Sequence, residues 1–157
     1  MRQGFVKVAA ATPKILVADC VENTRVILES IREMSRAGAK IMVLPELAVT
    51  GYTCSDLFWQ EQLIWESERQ LSRLLDETRG VDALIFVGMP MEIFGKLYNV
   101  AAVMNRGKLL GIVPKKHLPS YHEFYEGRHF TPGEEQTVWI EREGERIPFG
   151  MNLLFAC

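Results

Sequence analysis

Two unbroken apolar runs, Ile41-Met42-Val43-Leu44 and Ala83-Leu84-Ile85-Phe86-Val87-Gly88, constrain the fold of this chain more than any other feature. Runs this short, without polar alternation, read as strands of a sheet covered on both faces. The sequence between them supplies a crossover. Over 61–78, Leu63, Ile64, Leu71, Leu74 and Leu75 recur at helical spacing with charged residues opposite, and Arg79-Gly80 ends the segment. A second helix over 21–36 puts Ile27, Ile31 and Met34 on one face and Arg25, Glu29, Arg32 and Glu33 elsewhere, with Gly38 as its stop. Residues 5–10 have strand character, closed by Thr12-Pro13. Strands over 98–104 and 108–113 flank Asn105-Arg106-Gly107, a hairpin turn. Residues 117–133 read as an aromatic loop bearing Gly and Pro, 137–140 as a further strand, and 141–146 as a charged turn. Strands and helices in this order predict an α/β domain with a mixed sheet.

At 157 residues, 48% hydrophobic and 24% charged, the chain is the size of one globular domain. A net charge of −2, with Lys115-Lys116 an isolated basic pair, offers no stripe for a phosphate backbone, so no nucleic-acid partner is expected. The amino terminus lacks the charged and apolar regions of a secretory leader, and no apolar run approaches the roughly 18 residues of a membrane span. The expectation is a cytoplasmic protein without a membrane partner. Cys20, Cys54 and Cys157 are an odd set without a close pair, which predicts reduced thiols rather than disulfides or a zinc ribbon. Residues 147–157 read as an apolar strand or its approach, without a polar tail, and this predicts a fragment cut inside a larger fold.

Chemistry concentrates at two strand ends. Leu44-Pro45-Glu46-Leu47 runs into Thr50-Gly51-Tyr52, and Val113-Pro114-Lys115-Lys116-His117-Leu118-Pro119 runs into Tyr121-His122-Glu123-Phe124-Tyr125-Glu126. A strand leaving a core delivers its last ionisable side chain to a partly desolvated rim, where it can serve as acid, base or electrostatic clamp. A glutamate, a lysine and a thiol form a self-sufficient amide-cleaving set. The carboxylate takes the proton of a thiol that is mostly protonated at neutral pH, and the ammonium steadies the oxyanion formed on attack.

These motifs resemble the glutamate and lysine motifs of the nitrilase, or carbon-nitrogen hydrolase, superfamily. The longer stretches, Glu46 through Asp56-Leu57-Phe58 and Pro114 through Arg128 and Phe130, are similar to the glutaminase domains of glutamine-dependent NAD synthetases. The resemblance covers essentially the whole chain and implies a nitrilase-type α-β-β-α sandwich, C-terminally truncated. Residues 1–157 are then an incomplete carbon-nitrogen hydrolase domain whose synthetase domain lies beyond them. Glu46 matches the general base, Lys115 the oxyanion-stabilising lysine, and Tyr121 a tyrosine that contacts bound glutamine. Glu126 matches a second glutamate that supports the lysine and substrate, with Glu123 competing for that role; Lys116 is a bystander. The implied partners are L-glutamine, the chain's own synthetase domain and further copies in a homo-oligomer. The implied activity is glutamine hydrolysis that supplies ammonia for making NAD from its deamido precursor.

The nucleophile departs from the family pattern. Its Cys-Glu-Asp-Leu-Trp type motif does not occur here, so the cysteine is expected beyond residue 157. Cys157 is the tempting substitute, one strand too early for an NAD synthetase; Cys20 opens a helix, and Cys54 is a small loop residue. The fragment is expected to hydrolyse nothing. His117, His122 and His129 lack metal-ligand spacing, and no cofactor is expected for this part. No phosphate-binding glycine loop is present, so ATP and Mg²⁺ are expected in the synthetase domain. Two rival readings share Glu46 and Lys115. A stand-alone amidase, carbamoylase or nitrilase would lack a synthetase domain, and a non-catalytic nitrilase-like binding module would lack a downstream cysteine.

Overall fold

A computed structural model describes residues 4–156. The strands β1 (Val8–Ala10), β2 (Ile41–Val43), β3 (Leu84–Ile93), β4 (Lys96–Asn105), β5 (Lys108–Pro114), β6 (Val138–Arg142) and β7 (Glu145–Phe149) form one seven-stranded sheet in the order β1-β2-β3-β4-β5-β7-β6. Strands β1, β2 and β3 run parallel, β3 to β5 are antiparallel, and the β6–β7 hairpin joins β5 through the parallel register pair Ile112 and Phe149. The mixed sheet read from the sequence is present.

The helices α1 (Cys20–Arg36) and α2 (Glu61–Glu77) make the two crossovers of the parallel part. Both crossovers step the same way across the sheet, which with right-handed connections puts both helices on one face. There Ile27, Ile31, Leu71 and Leu74 meet Met42, Ile85, Val87, Met89 and Met104, all at most 1% exposed. Asp19 caps α1 by accepting the Glu22 N–H, and Gly38 takes φ +80° at its end as expected for a left-handed stop. The end of α2 differs from the reading. Thr78 closes it, with its N–H and hydroxyl both reaching the Leu74 carbonyl, and Gly80 has no left-handed φ.

Other boundaries moved for identifiable reasons. Strand β3 runs on through Pro90 to Ile93 because β2 pairs with it only as far as Phe86, so the missing proline N–H interrupts no ladder on that side. Phe94-Gly95, both at positive φ, then makes the tight turn into β4. The predicted charged turn at 141–146 is mostly strand, with only Glu143-Gly144 turning, also at positive φ. Arg142 there reaches back to Glu68 on α2 at 3.0 Å. The loop over 117–133 contains one helical turn, α3 (Glu126–His129). Residues 150–156 do not extend the sheet: Leu153 and Phe155 lie over Gly111, and Phe155 meets Phe86 edge-on at 6.1 Å. Cys157, included in the predicted final strand, lies outside the described residues.

The expectation of a sheet covered on both faces also needs correction among the described residues. Helices cover one face only, and Val43 on the other is 44% exposed. The unalternated runs reflect an apolar face lining a cleft as much as a core.

Candidate active site

Glu46 owes its position to a backbone crossing. Leu44 still donates to the Phe86 carbonyl at 2.9 Å, but Pro45 cannot continue the ladder, and residues 46–50 turn over β3 with Leu47 at φ +49°. The turn passes directly over Gly88, where an added Cβ would stand 2.4 Å from the Pro45 carbonyl oxygen and 2.7 Å from the Glu46 Cα. From α1, the fully buried Asn23 donates to the Val49 carbonyl at 3.0 Å and holds the far side of the same turn.

Lys115 is the first residue after β5, and its backbone remains fixed. Its N–H donates to the Asn99 carbonyl at 2.8 Å, and its own carbonyl accepts from Gly133 at 2.8 Å. Glu126 opens α3, its N–H donating to the Pro119 carbonyl at 3.2 Å. Tyr52 begins a pair of 3₁₀ turns, Tyr52–Trp59, kinked at Ser55.

These elements bring four side chains together. Lys115 Nζ donates to Glu46 Oε1 at 2.7 Å and to Glu126 Oε1 at 2.9 Å, and it lies 2.9 Å from Glu126 Oε2 as well. The Tyr52 hydroxyl donates to Glu126 Oε1 at 2.7 Å. Glu126 is only 5% exposed, so the ammonium beside it compensates a carboxylate removed from water. Burial alone pushes the Lys115 pKa down, but hydrogen bonds and charge from Glu46 and Glu126 outweigh it and hold the pKa above the ordinary lysine value. Burial, then the bond to Glu126, pushes the Tyr52 hydroxyl above the ordinary tyrosine range, so it remains a proton donor. An ammonium has three protons, and two are committed to the glutamates.

Glu46, Asn99 and Lys115 border a cleft of about 420 Å³ whose other walls, including Phe86, Val100, Val113 and Pro114, are apolar. That volume lies within the range of small-molecule sites. A second, open depression on the far side of Lys115 is lined by Leu118, Pro119, Tyr121 and Phe130.

Of the residues singled out in the sequence, Glu46, Lys115 and Glu126 thus meet. Glu123 makes no hydrogen bond to Lys115 among the described residues, whereas Glu126 does. Tyr121 is 62% exposed and packs edge-on against Phe124 at 5.6 Å, sharing the open depression with Lys115 but bonding to none of the three. Lys116 points outward to Glu135 at 3.0 Å. Cys20 and Cys54 are both 2% exposed and line neither space around Lys115. Burial pushes the Cys20 thiol up to about 12 and raises that of Cys54. The described residues include no cluster of His, Cys, Asp and Glu able to hold a metal ion.

Two participants escaped the sequence reading. Tyr52 stands inside a quoted motif with no role assigned to it, and Asn99 lies unremarked within the strand predicted over 98–104. Asn99 had left a trace: an amide amid Val100, Ala101, Ala102 and Val103 on a buried strand must find a partner. Its Nδ2 donates to Glu46 Oε1.

A mixed sheet with helices on one face and a Glu–Lys–Glu cluster at a cleft mouth fit one class, and the chain belongs to it: the carbon-nitrogen hydrolase family, whose model matches residues 7–151. Its fold is that of the nitrilase superfamily. The glutamine-dependent NAD(+) synthetase of Mycobacterium tuberculosis (strain ATCC 25618 / H37Rv) is 37% identical over 155 residues, covering 99% of this chain and 23% of that protein. That of Aquifex aeolicus is 38% identical over 135 residues, 86% of this chain and again 23% of the relative. The crystal structure of a glutamine-dependent NAD(+) synthetase from Cytophaga hutchinsonii matches 97% of this chain and 26% of its own with a TM-score of 0.90 at 27% identity. An amidase from Nesterenkonia, at 21% identity and a TM-score of 0.73, shares the fold. The chain therefore spans about a quarter of the length of the synthetases it matches. No helix among the described residues is long and apolar enough to cross a membrane.

Proposed function

We propose that this chain is the glutaminase part of a glutamine-hydrolysing NAD synthetase. The observation that carries the reading is Lys115 Nζ, held at 2.7 Å from Glu46 and 2.9 Å from Glu126 at the mouth of a small apolar cleft. In this reading L-glutamine is the substrate and a synthetase domain outside these residues is the consumer of ammonia, with ATP and Mg²⁺ belonging to that domain. The nucleophilic cysteine comes from outside the described residues, since Cys20 and Cys54 are buried away from the cleft.

Glu46 takes the thiol proton, and the thiolate adds to the side-chain carbonyl carbon of glutamine. The carbonyl oxygen becomes an oxyanion beside the uncommitted proton of Lys115. On collapse the C–N bond breaks, the nitrogen takes the proton back from Glu46, and ammonia leaves a thioester. Water then gives one proton to Glu46 as its oxygen attacks the thioester carbon. The second collapse breaks the C–S bond, returns that proton to the sulfur and frees glutamate. Glu126 and Tyr52 hold the lysine in place throughout.

The test separates the two halves of the reaction. In the intact protein containing this chain, Glu46→Gln and Lys115→Ala abolish NAD synthesis driven by glutamine and spare synthesis driven by added ammonium. Equal loss of both activities would remove these residues from a glutaminase site. Residues 1–157 alone hydrolyse no glutamine, and a rate that vanishes in Cys157→Ser would overturn that expectation.

A further inference from the structure

We propose that Asn99 is a positioning residue that selects which oxygen of Glu46 receives the thiol proton. The inference rests on the glutaminase reading above.

Asn99 Nδ2 and Lys115 Nζ both donate to Glu46 Oε1. Among the described residues no donor reaches Glu46 Oε2, which leaves that oxygen free to accept a proton. The amide orientation follows from chemistry: an ionised carboxylate only accepts, so Asn99 must face it with its NH₂ group. Glu46 itself is ill suited to hold a direction. It lies on a turn and its side chain is 41% exposed, while Lys115 reaches it on a long stem that is 29% exposed. Asn99 is 3% exposed, sits within β4 and has a short side chain, so it is the rigid member of the three. It also accepts the Lys115 backbone N–H at 2.8 Å. One residue therefore sets both the lysine backbone and the carboxylate plane.

Asn99 shares its sheet face with the glycine under the Glu46 turn: Asn99 pairs with Pro90, and Ala101 with Gly88. The bare Gly88 brings Glu46 down to the sheet, and Asn99 then catches one oxygen. With Oε1 occupied by two donors, the proton passes between the thiol and Oε2, and the carboxylate cannot swing that lone pair away between the two half-reactions. A base misplaced by about 1 Å loses roughly 100-fold in rate.

The deciding variants are Asn99→Asp, which keeps shape but removes the donor, and Asn99→Leu, which removes both polar atoms. They are made in the intact protein and compared with Glu46→Gln. Both are expected to lower glutamine-dependent kcat by roughly 100-fold with KM for glutamine within about twofold of wild type. In Asn99→Asp the acid limb of the pH–rate profile also moves to higher pH, because a second carboxylate beside Glu46 favours its protonated form. Ammonium-driven synthesis is unchanged. Wild-type kcat and an unmoved acid limb in both variants, with Glu46→Gln inactive, overturn the positioning role and leave the glutaminase reading standing. An active Glu46→Gln overturns the reading itself. Should both Asn99 variants misfold, the wild-type protein decides by NMR: the Asn99 Nδ2 protons shift with pH in wild type and not in Glu46→Gln. A flat response in wild type overturns the inference.

Discussion

Gly88 lies so close beneath Glu46 that a single methyl group between them would stand 2.7 Å from the Glu46 Cα. Proximity to β3 sets the height of the turn that presents the carboxylate, while the Asn23 bond to Val49 holds its far side.

Gly88→Ala is accordingly expected to act on both stability and chemistry. The three nearest atoms to the new Cβ are all backbone, at 2.4, 2.5 and 2.7 Å, so no flexible side chain can yield. Overpacking of this kind costs about 1–3 kcal/mol. Chemical denaturation should show that loss, and glutamine turnover should fall at least tenfold more than in Gly80→Ala, where an added Cβ meets nothing within 4 Å.

Tyr52→Phe keeps the ring and its edge-on contact with Phe124 at 6.3 Å while deleting the bond to Glu126. Bonds to charged acceptors contribute about 1.5–3 kcal/mol, and with Tyr52 36% exposed the expectation is about 1 kcal/mol. Kinetics should show a drop in kcat of about fivefold without loss of ammonium-driven synthesis.

The pH dependence of the Lys115 contribution has a definite sign. Its pKa is raised, by the two glutamates against the opposing effect of burial, so the folded state retains the lysine proton more tightly than the unfolded chain. The stabilisation is full below the ordinary lysine value of about 10.4 and fades as pH rises through the raised folded value. Lys115→Met leaves Glu126 buried without its cation and should cost about 2–4 kcal/mol. Urea titrations of wild type and variant should give a constant difference from pH 7 to pH 10 and a shrinking one above.

Thiol reactivity separates the buried cysteines from any catalytic one. In residues 1–157 carrying Cys157→Ser, where Cys20 and Cys54 are the remaining thiols, both should react with a disulfide reagent only after unfolding. Both are 2% exposed, and burial pushes the Cys20 thiol up to about 12. Labelling of the folded protein within minutes at pH 8 would contradict the described burial.

Much of the architecture was legible in the sequence because its cause is local. The apolar stripe of Ile27, Ile31 and Met34 states a helix and its buried face, and the run ending at Leu44 states a strand that Pro45 must end. The continuation of β3 past Gly88 was hidden, since Pro90 reads as a breaker until the early end of β2 is known. The β6–β7 hairpin was hidden for a similar reason: Glu141, Arg142, Glu145 and Arg146 look like a solvated turn, while Arg142 finds its partner Glu68 on a distant helix. At the site, residue types at strand ends pointed to Glu46 and Lys115. That Glu126 rather than Glu123 contacts the lysine depends on where one turn of helix begins, and the partner of Asn99 lies across two strands' worth of pairing.

Gly111 has no chemistry of its own, yet the bare spot it leaves on β5 is where Leu153 and Phe155 come to rest, each 3.0 Å from where its Cβ would be. Phe155 in turn leans on Phe86, a wall of the apolar cleft. A hydrogen atom in place of a methyl group thus acts as a doorstop: it decides how far the last described stretch of chain settles onto the sheet, against a side chain that also walls the cleft.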